Sequence, residues 1–189
     1  MSRWEPDARG RLLRAAMELY RERGYDSTTV AEIARRAGLT ERTFFRHFAD
    51  KREVLFSGSA ELQEALVRVV DDAPESSSPI EAIVAALIGA ADAIFEERRE
   101  FARQRQAVIT ANVDLQEREL IKLATLAAAL AGALRRRGVA DPAASLAAEA
   151  GIAVFKVAFE GWTAQAGDRN LSQFIHESVS DLRAVTTAR

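Results

Sequence analysis

The most constraining feature of the sequence is a pair of short helical patterns, joined by a Gly-Leu-Thr turn, within residues 24–53. Thr29 and Glu32 have the Thr-x-x-Glu spacing of a capping box, which predicts the start of the first helix. Thr40 can cap the second helix. Asp50 and Glu53 repeat the capping spacing and predict the start of a third helix. Three helix starts this close together predict a compact helix-turn-helix unit.

The second of these helices has two chemically opposite faces. At about 100° per residue, Phe44 and Phe48 lie within about 40° of each other, and Arg42 and Arg46 point almost the opposite way. Burial of the two phenyl rings would therefore expose two guanidinium groups. Arg42 and Arg46 are the candidate residues for reading base edges in a major groove.

Neighbouring side chains are candidates for contacts that position DNA. Thr43 and Phe45 lie on the flanks, where they can reach sugar, phosphate or a thymine methyl group. Lys51, in the first turn of the following helix, can meet a phosphate together with main-chain N–H groups, and His47 lies nearer the buried side. The alternative is a structural three-helix bundle, but the faces, caps and flanking helix agree on DNA binding.

Residues 9–56 resemble the DNA-binding domain of the TetR family of bacterial one-component transcriptional regulators. The resemblance lies in the stretches GYDSTTVAEIA, AGLTERTFFRHF and DKREVL and in a first helix with Leu13, Ala16, Met17 and Tyr20 inward. By motif position it implies DNA contacts at Thr28, Thr29, Thr40, Arg42, Thr43, Phe45, Arg46, His47 and Lys51. Arg42 stands where many relatives have a small residue, and Ala49 replaces a frequent proline.

Charge is distributed unevenly along the 189 residues, whose net charge is −2. Residues 1–56 carry 12 Lys and Arg against 9 Asp and Glu, whereas residues 57–189 carry 14 against 19, which places DNA at the N-terminal end. The chain has no cysteine and two histidines, so that no disulfide, metal site or cofactor is expected.

The amino terminus, MSRWEPDARG, has no apolar core of signal-peptide length. No later stretch of about eighteen apolar residues runs without a polar break. These two features predict a cytoplasmic protein without a membrane partner.

The whole chain reads as helix, which predicts an all-α protein of about nine helices. A DNA-binding domain over residues 1–56 is followed by a helical effector-binding and dimerisation domain over residues 57–189. A fourth helix is expected to join them, running from Lys51 to about Val70 with Gly58 as a soft point. A later helix is expected from Pro142 to Ala166.

Large apolar side chains in the second domain are candidates for an effector pocket. The pocket residues predicted are Phe95, Phe155, Phe159 and Trp162, with Gln106, Asn112 and Thr125 as polar groups. Ordinary core packing is the alternative for each. An apolar lining favours a hydrophobic or long-chain effector, and the RTFFRHF motif resembles that of regulators proposed to sense acyl thioesters.

A stripe of small residues marks the helix that begins at Pro142. In TetR-like dimers the last two helices of each subunit form a four-helix bundle, and this implies an interface that includes the last helix. The interface residues predicted are Ala147, Gly151, Val154, Ala158, Gly161, Phe174, Ile175 and Leu182. The alternative is that the small stripe packs against a helix of the same chain.

The function implied is that of a homodimer that binds a palindromic DNA operator. Repression is the family's default, and an effector would release DNA by a population shift. A helical enzyme is one alternative, because DDAPE at 71–75 resembles the DDxxE magnesium motif, but Pro74 breaks its helical face. A protein-binding adaptor without DNA binding is another, and it leaves the Arg42 and Arg46 face unexplained.

Overall fold

The computed structural model describes residues 7–165 and 167–187, which form ten α-helices and no β-strand. The helices are α1 (Ala8–Arg23), α2 (Val30–Arg36), α3 (Glu41–His47), α4 (Lys51–Leu55), α5 (Ser59–Asp71), α6 (Pro79–Ala90), α7 (Arg99–Thr110), α8 (Val113–Arg136), α9 (Asp141–Ala164) and α10 (Leu171–Thr186). The predicted all-α class is confirmed. Residues 1–6 of the amino terminus and Ala166, the predicted helix end, lie outside the described residues.

The predicted continuous helix from Lys51 to Val70 is wrong. Its first part, α4, ends at Leu55, and Gly58 takes a φ of 94° before α5 begins. This left-handed conformation cannot continue a right-handed helix, and glycine adopts it without a Cβ clash. The break turns one expected helix into two, which accounts for ten helices where about nine were expected.

Polar caps fix the helix starts as the sequence predicts. Thr29 and Glu32 form the complete capping box of α2, and Thr40 accepts a hydrogen bond from the Thr43 N–H at the start of α3. The Asp50 carboxylate caps α4. Each cap satisfies N–H groups that have no partner within the helix.

The chain divides into two compact units, and their bounds differ from the predicted boundary between residues 56 and 57. The first unit is Met1–Ser57 together with Gln104–Glu119, and the second is Gly58–Arg103 together with Leu120–Arg189. The stretch Gln104–Glu119, expected in the second domain, packs with the first. Side chains of this stretch bind α4, as described below.

The core of the first unit contains apolar side chains from α1, α2, α3 and α4. Buried members include Leu12, Leu19, Ile33, Phe44 and Leu55, while Leu13, expected to face inward, is only half-buried.

In the second unit α6 packs against α5, α9 and α10. Its buried core includes Ile83, Leu87, Trp162, Leu171 and Ile175. Between α6 and α7 the chain forms a π-helical turn, Ala91–Phe95, followed by a 3₁₀ turn. π-helical turns often mark functional sites.

By length and composition α9 is long and apolar enough to cross a membrane. One such helix is weak evidence, because the core helices of globular proteins pass the same test. Nine of its residues, including Ile152 and Trp162, are buried within the second unit.

We predict opposite effects of alanine at two helical glycines. A Cβ at Gly151 would collide with Ile83 Cγ2, so Gly151→Ala should lower the free energy of unfolding by roughly 1–3 kcal/mol. A Cβ at Gly132 would have Arg136 Nη1 as its nearest atom, at 3.7 Å. Gly132→Ala should therefore raise the free energy of unfolding by about 0.5–1 kcal/mol. Urea unfolding measures both, and a neutral Gly151→Ala would contradict the close packing of α9 on α6.

Candidate nucleic-acid interface

The rotation of α3 about its axis is set by two buried phenylalanines. Phe44 is fully buried and Phe48 nearly so, with ring centroids 5.5 Å apart. Because these rings occupy the inner face, Arg42 and Arg46 lie on the exposed side. The opposite faces predicted from the sequence are thus present in the structure.

Some arginines of the first unit have acidic partners, and others, among them Arg35, Arg42 and Arg46, have none in the described structure. Arg23 pairs with Glu32, and Arg36 pairs with both Glu18 and Glu22. Across the part of the chain that the structure describes, neither Arg42 nor Arg46 forms a hydrogen bond or an ion pair. Their donors are therefore available to an external ligand.

The flanks of α3 carry Phe45 and Thr43. Phe45 is 55% exposed, and its ring packs edge-on against Phe44 with centroids 5.5 Å apart. Thr43 is half-buried, with its hydroxyl 3.0 Å from that of exposed Thr40. These three side chains remain candidates for contacts with sugar, phosphate or a thymine methyl group.

The two threonines before α2 are placed differently. Thr29 is exposed at the N-cap, whereas Thr28 is buried and donates its hydroxyl hydrogen to the Gly24 carbonyl oxygen at 2.8 Å. A side chain closed off in this way cannot meet DNA, so the structure does not support a contact by Thr28. Its hydroxyl instead stabilises the turn between α1 and α2.

Lys51, for which a phosphate contact is expected, has its ammonium group hydrogen-bonded within the protein. Its ammonium group donates to the carbonyl oxygens of Tyr25 at 2.8 Å and Thr28 at 2.9 Å, with a third carbonyl, that of Asp26, at 3.3 Å. The Lys51 Nζ also lies 4.3 Å from the Tyr25 ring centroid. Its three donors thus connect α4 to the turn between α1 and α2.

Two amides in the first turn of α4, those of Arg52 and Glu53, are occupied by a side chain of the protein. The Asp50 carboxylate accepts hydrogen bonds from the N–H groups of Arg52 at 2.8 Å and Glu53 at 3.0 Å. Burial alone would raise the pKa of Asp50, but hydrogen bonds from the Arg52 side chain and from these amides hold it below its usual range. The carboxylate therefore stays ionised as the cap of α4.

Two tyrosines complete the connection between α1 and α4. The Tyr20 hydroxyl donates to the Lys51 carbonyl oxygen at 2.7 Å, and its ring meets Tyr25 edge-on. Burial raises the pKa of Tyr25 to about 12 and raises that of Tyr20 further still. Both hydroxyls therefore remain protonated, and the Tyr20 donor persists at neutral and mildly alkaline pH.

His47 lies at the end of α3 and is half-buried. Its Nε2 atom is buried and has no hydrogen-bond partner in the described part of the chain. The structure therefore does not present His47 as a group directed at solvent. Nor do the described residues contain a cluster of three or more His, Asp or Glu side chains that could hold a metal ion.

Two arginines from Gln104–Glu119 bind α4 within the first unit. Arg105 Nε donates to the carbonyl oxygen of Leu55, the last residue of α4, at 2.7 Å, and its guanidinium also pairs with Glu119 and lies over the Phe56 ring. Arg118 pairs with Glu53. The sequence offered no signal for these contacts, because Leu55 accepts through its main chain.

The four aromatic residues predicted to line an effector pocket come together in the second unit. Phe95 lies 5.8 Å from Phe159 and 6.3 Å from Trp162, and Phe155 lies 5.6 Å from Phe159, all between ring centroids. Phe159 and Trp162 are buried, whereas Phe95 and Phe155 are half-buried.

The three polar pocket candidates differ from one another in their surroundings. Asn112 donates to the Val108 carbonyl oxygen at 2.7 Å, and Thr125 is exposed and donates to Ile121 in its own helix at 2.8 Å. Gln106 and Asn112 both belong to the first unit. Of the three, Thr125 alone belongs to the same unit as the aromatic cluster.

The stripe of small residues on α9 packs within its own chain, and this corrects the expected dimer interface. Gly151 lies against Ile83 of α6, and a Cβ at Gly161 would come within 3.1 Å of Phe174 in α10. The predicted interface residues Val154, Ala158, Phe174 and Ile175 are buried, and Ala147, Gly161 and Leu182 are partly buried. The intrachain alternative is the arrangement found.

Family models match both parts of the chain. Residues 12–57 match the model described as bacterial regulatory proteins of the tetR family, and residues 77–187 match the MftR C-terminal domain. The chain belongs to the TetR family. Members of this family are transcriptional regulators that bind DNA operators and small-molecule ligands and act as dimers. The alternative of a helical enzyme finds no support in the family.

Curated relatives match less than half of this TetR-family chain. The HTH-type regulator TcmR of Streptomyces glaucescens is 39% identical over 75 residues, which cover 40% of this chain and 33% of TcmR. The HTH-type transcriptional activator FasR of Mycolicibacterium smegmatis is 42% identical over 48 residues, 25% of this chain and 22% of FasR. The chain thus spans about a third or less of these relatives' length.

Solved structures share the fold along almost the whole chain. A complex of SmeT with triclosan has a TM-score of 0.65 at 21% identity, covering 92% of this chain and 90% of SmeT. FadR of Bacillus subtilis with stearoyl-CoA has a TM-score of 0.60 at 19% identity, covering 90% and 95%. FadR of Thermus thermophilus with lauroyl-CoA has a TM-score of 0.54 at 24% identity, and the match covers 96% of this chain and 96% of that FadR. These likenesses establish the fold.

The Lys51→Met substitution distinguishes a structural role of Lys51 from a role in phosphate binding. Loss of the carbonyl contacts should lower the free energy of unfolding by roughly 1–3 kcal/mol. The slope of DNA affinity against salt, measured on folded protein, should stay unchanged.

Lys122→Met is the matched control, because Lys122 is half-buried in α8 without a hydrogen bond in the described structure. This change should alter stability by no more than about 0.5 kcal/mol. If the Lys51→Met variant has wild-type stability and its salt slope is reduced by about one, Lys51 contacts a phosphate and its structural role is contradicted.

Proposed function

We propose that this TetR-family regulator binds a palindromic operator as a homodimer, with α3 of each subunit in the major groove. The observation that carries the proposal is the pair of exposed, unpaired guanidinium groups of Arg42 and Arg46 beside the buried Phe44 and Phe48. These two groups place positive charge without an acidic partner in the described structure on one face of α3, opposite the buried rings. An adaptor without DNA binding leaves this face without a role.

The proposed action is repression in the cytoplasm, with the remaining surface residues positioning DNA. Thr29 and Thr40 are exposed at the starts of α2 and α3, and Phe45 and Thr43 flank the reading face. Such contacts fix orientation on the duplex, while base contacts discriminate between sequences. Thr28 and Lys51 are proposed to act through the fold, as their internal hydrogen bonds indicate, and so is His47, whose Nε2 atom is buried.

Dimerisation is proposed through the outer face of α9, opposite the side of the helix that carries Phe155, Phe159 and Trp162. Leu146 is 71% exposed and Val157 is 59% exposed, and Ala150 and Ala153 continue the same heptad-spaced line between them. Exposed leucine and valine on a line of alanines favour close packing of a second copy. TetR-family regulators act as dimers, which supports a second subunit as the occupant.

The proposed effector is a small apolar molecule bound beside the aromatic cluster of Phe95, Phe155, Phe159 and Trp162. Phe95 ends the π-helical turn, an irregular backbone that can change its register more easily than a regular helix. The structural neighbours crystallised with triclosan, lauroyl-CoA and stearoyl-CoA support an apolar ligand.

The effect of effector binding is proposed to reach the DNA-binding helices through α7. This helix begins at Arg99 in the second unit and continues through Arg105, which binds the end of α4 in the first. An effector that favours a shifted position of α7 would therefore change the hydrogen bond between Arg105 and the Leu55 carbonyl oxygen of α4. Only a difference in affinity between the two states can drive such a shift.

Arg42→Ala combined with Arg46→Ala should abolish discrimination between a cognate operator and a scrambled duplex. Each specific arginine contact contributes about 1–3 kcal/mol of discrimination. Because both side chains are exposed, the free energy of unfolding should change by no more than about 0.5 kcal/mol. Gel-shift titration at several salt concentrations measures both affinity and its salt dependence.

The control for these substitutions is Arg35→Ala, which removes an exposed charge from α2. It should leave the ratio between cognate and scrambled affinity unchanged. If the double variant keeps full discrimination with an intact fold, α3 is not the reading helix.

Val157→Glu should convert the dimer into a monomer, because a carboxylate would be buried without a partner in the proposed interface. Sedimentation velocity measures the change at micromolar concentrations. The control is Val113→Glu, which places the same charge at a 69% exposed position in the first turn of α8. A dimeric Val157→Glu protein would contradict the proposed interface.

An apolar effector should release the operator complex in solution. Titration with lauroyl-CoA, stearoyl-CoA or triclosan should lower the fraction of bound duplex, whereas coenzyme A without an acyl chain should not. Fluorescence anisotropy of a labelled duplex follows the release. Retention of DNA in the presence of all three compounds would count against an apolar effector of these classes.

A further inference from the structure

We propose that each operator half-site contains two G·C base pairs no more than two base-pair steps apart, one bound by Arg42 and the other by Arg46. The inference rests on the proposed function, because it names the DNA sequence that this surface selects.

The spacing follows from the positions of the two arginines on α3. Four residues at about 1.5 Å per residue separate them by about 6 Å along the helix axis. Base pairs in a duplex follow one another at about 3.4 Å. A helix lying along the major groove therefore brings the two guanidinium groups to base edges about two steps apart.

The choice of base follows from the chemistry of the guanidinium group, which donates hydrogen bonds and accepts none. In the major groove guanine presents two acceptors, N7 and O6, that a planar pair of N–H donors can meet together. Adenine places a donor beside its acceptor, cytosine offers a donor, and thymine has one acceptor next to a methyl group. Arginine is therefore matched to guanine at each position.

Two structural features make both contacts available at once. Neither Arg42 nor Arg46 has a partner in the described structure, so that no ion pair must break before guanine binds. The helix itself is held in one orientation by buried Phe44 and by the Thr40 cap. Because both side chains start from one turn of the same helix, the separation of their Cα atoms is fixed.

The experiment is selection of bound sequences from random duplexes with the full chain, with Arg42→Ala and with Arg46→Ala. The wild-type motif should be an inverted repeat whose half-sites each contain two G·C pairs within two steps. Each single variant should lose the preference at one of these positions and keep it at the other. On purified duplexes, changing one of these pairs should weaken wild-type binding by roughly ten- to a hundredfold and hardly affect the matching variant.

A wild-type motif without such a pair of G·C positions would overturn the inference while leaving specific DNA binding established. The inference also fails if either variant keeps both preferences, because the arginines would then contact phosphates only. Failure of the wild-type protein to enrich any sequence would overturn the proposed function itself. Arg35→Ala should reproduce the wild-type motif, and circular dichroism of each variant confirms that the fold is intact.

Discussion

The burial of Phe44 and Phe48 is the constraint on which the proposed DNA-binding surface depends. Burying a phenylalanine side chain fully stabilises a protein by about 1.5–3 kcal/mol, and α3 is short enough that these two rings decide its rotation. A turn of α3 by one residue would expose a ring and bring a guanidinium group toward the core without a partner. Core packing therefore directs Arg42 and Arg46 outward, and the proposed reading surface is a consequence of the hydrophobic core.

Polar contacts inside the first unit hold α3 and α4 in place around that core. Lys51 and Tyr20 connect α4 with α1 and with the turn before α2 through main-chain carbonyl groups and a hydroxyl. Arg105 adds a contact to the end of α4 from α7. In this way a basic residue that a motif assigns to phosphate can stabilise the fold instead, and the net positive charge of the N-terminal part overstates the number of charges free for DNA.

Local signals in the sequence were sufficient for the parts of the fold that depend on neighbouring residues. The capping box of Thr29 and Glu32 and the opposite faces of α3 involve residues within one or two turns, and both are present in the structure. The inward position of Thr28 and the carbonyl partners of Lys51 depend on how distant segments meet. The stripe containing Gly151 has the same spacing whether it meets a second subunit or, as found, Ile83 of the same chain. Patterns along one helix identify a face, and the tertiary structure determines its partner.

The central claim is that α3 enters the major groove and binds guanine edges there. Methylation interference tests it directly, because dimethyl sulfate modifies guanine at N7 in the major groove and adenine at N3 in the minor groove. With DNA from upstream of the chain's own gene, guanine methylation within each half-site should prevent binding, and adenine methylation at the same positions should not. Binding that tolerates every methylated guanine, or that is blocked only by methylated adenine, would contradict this placement of α3.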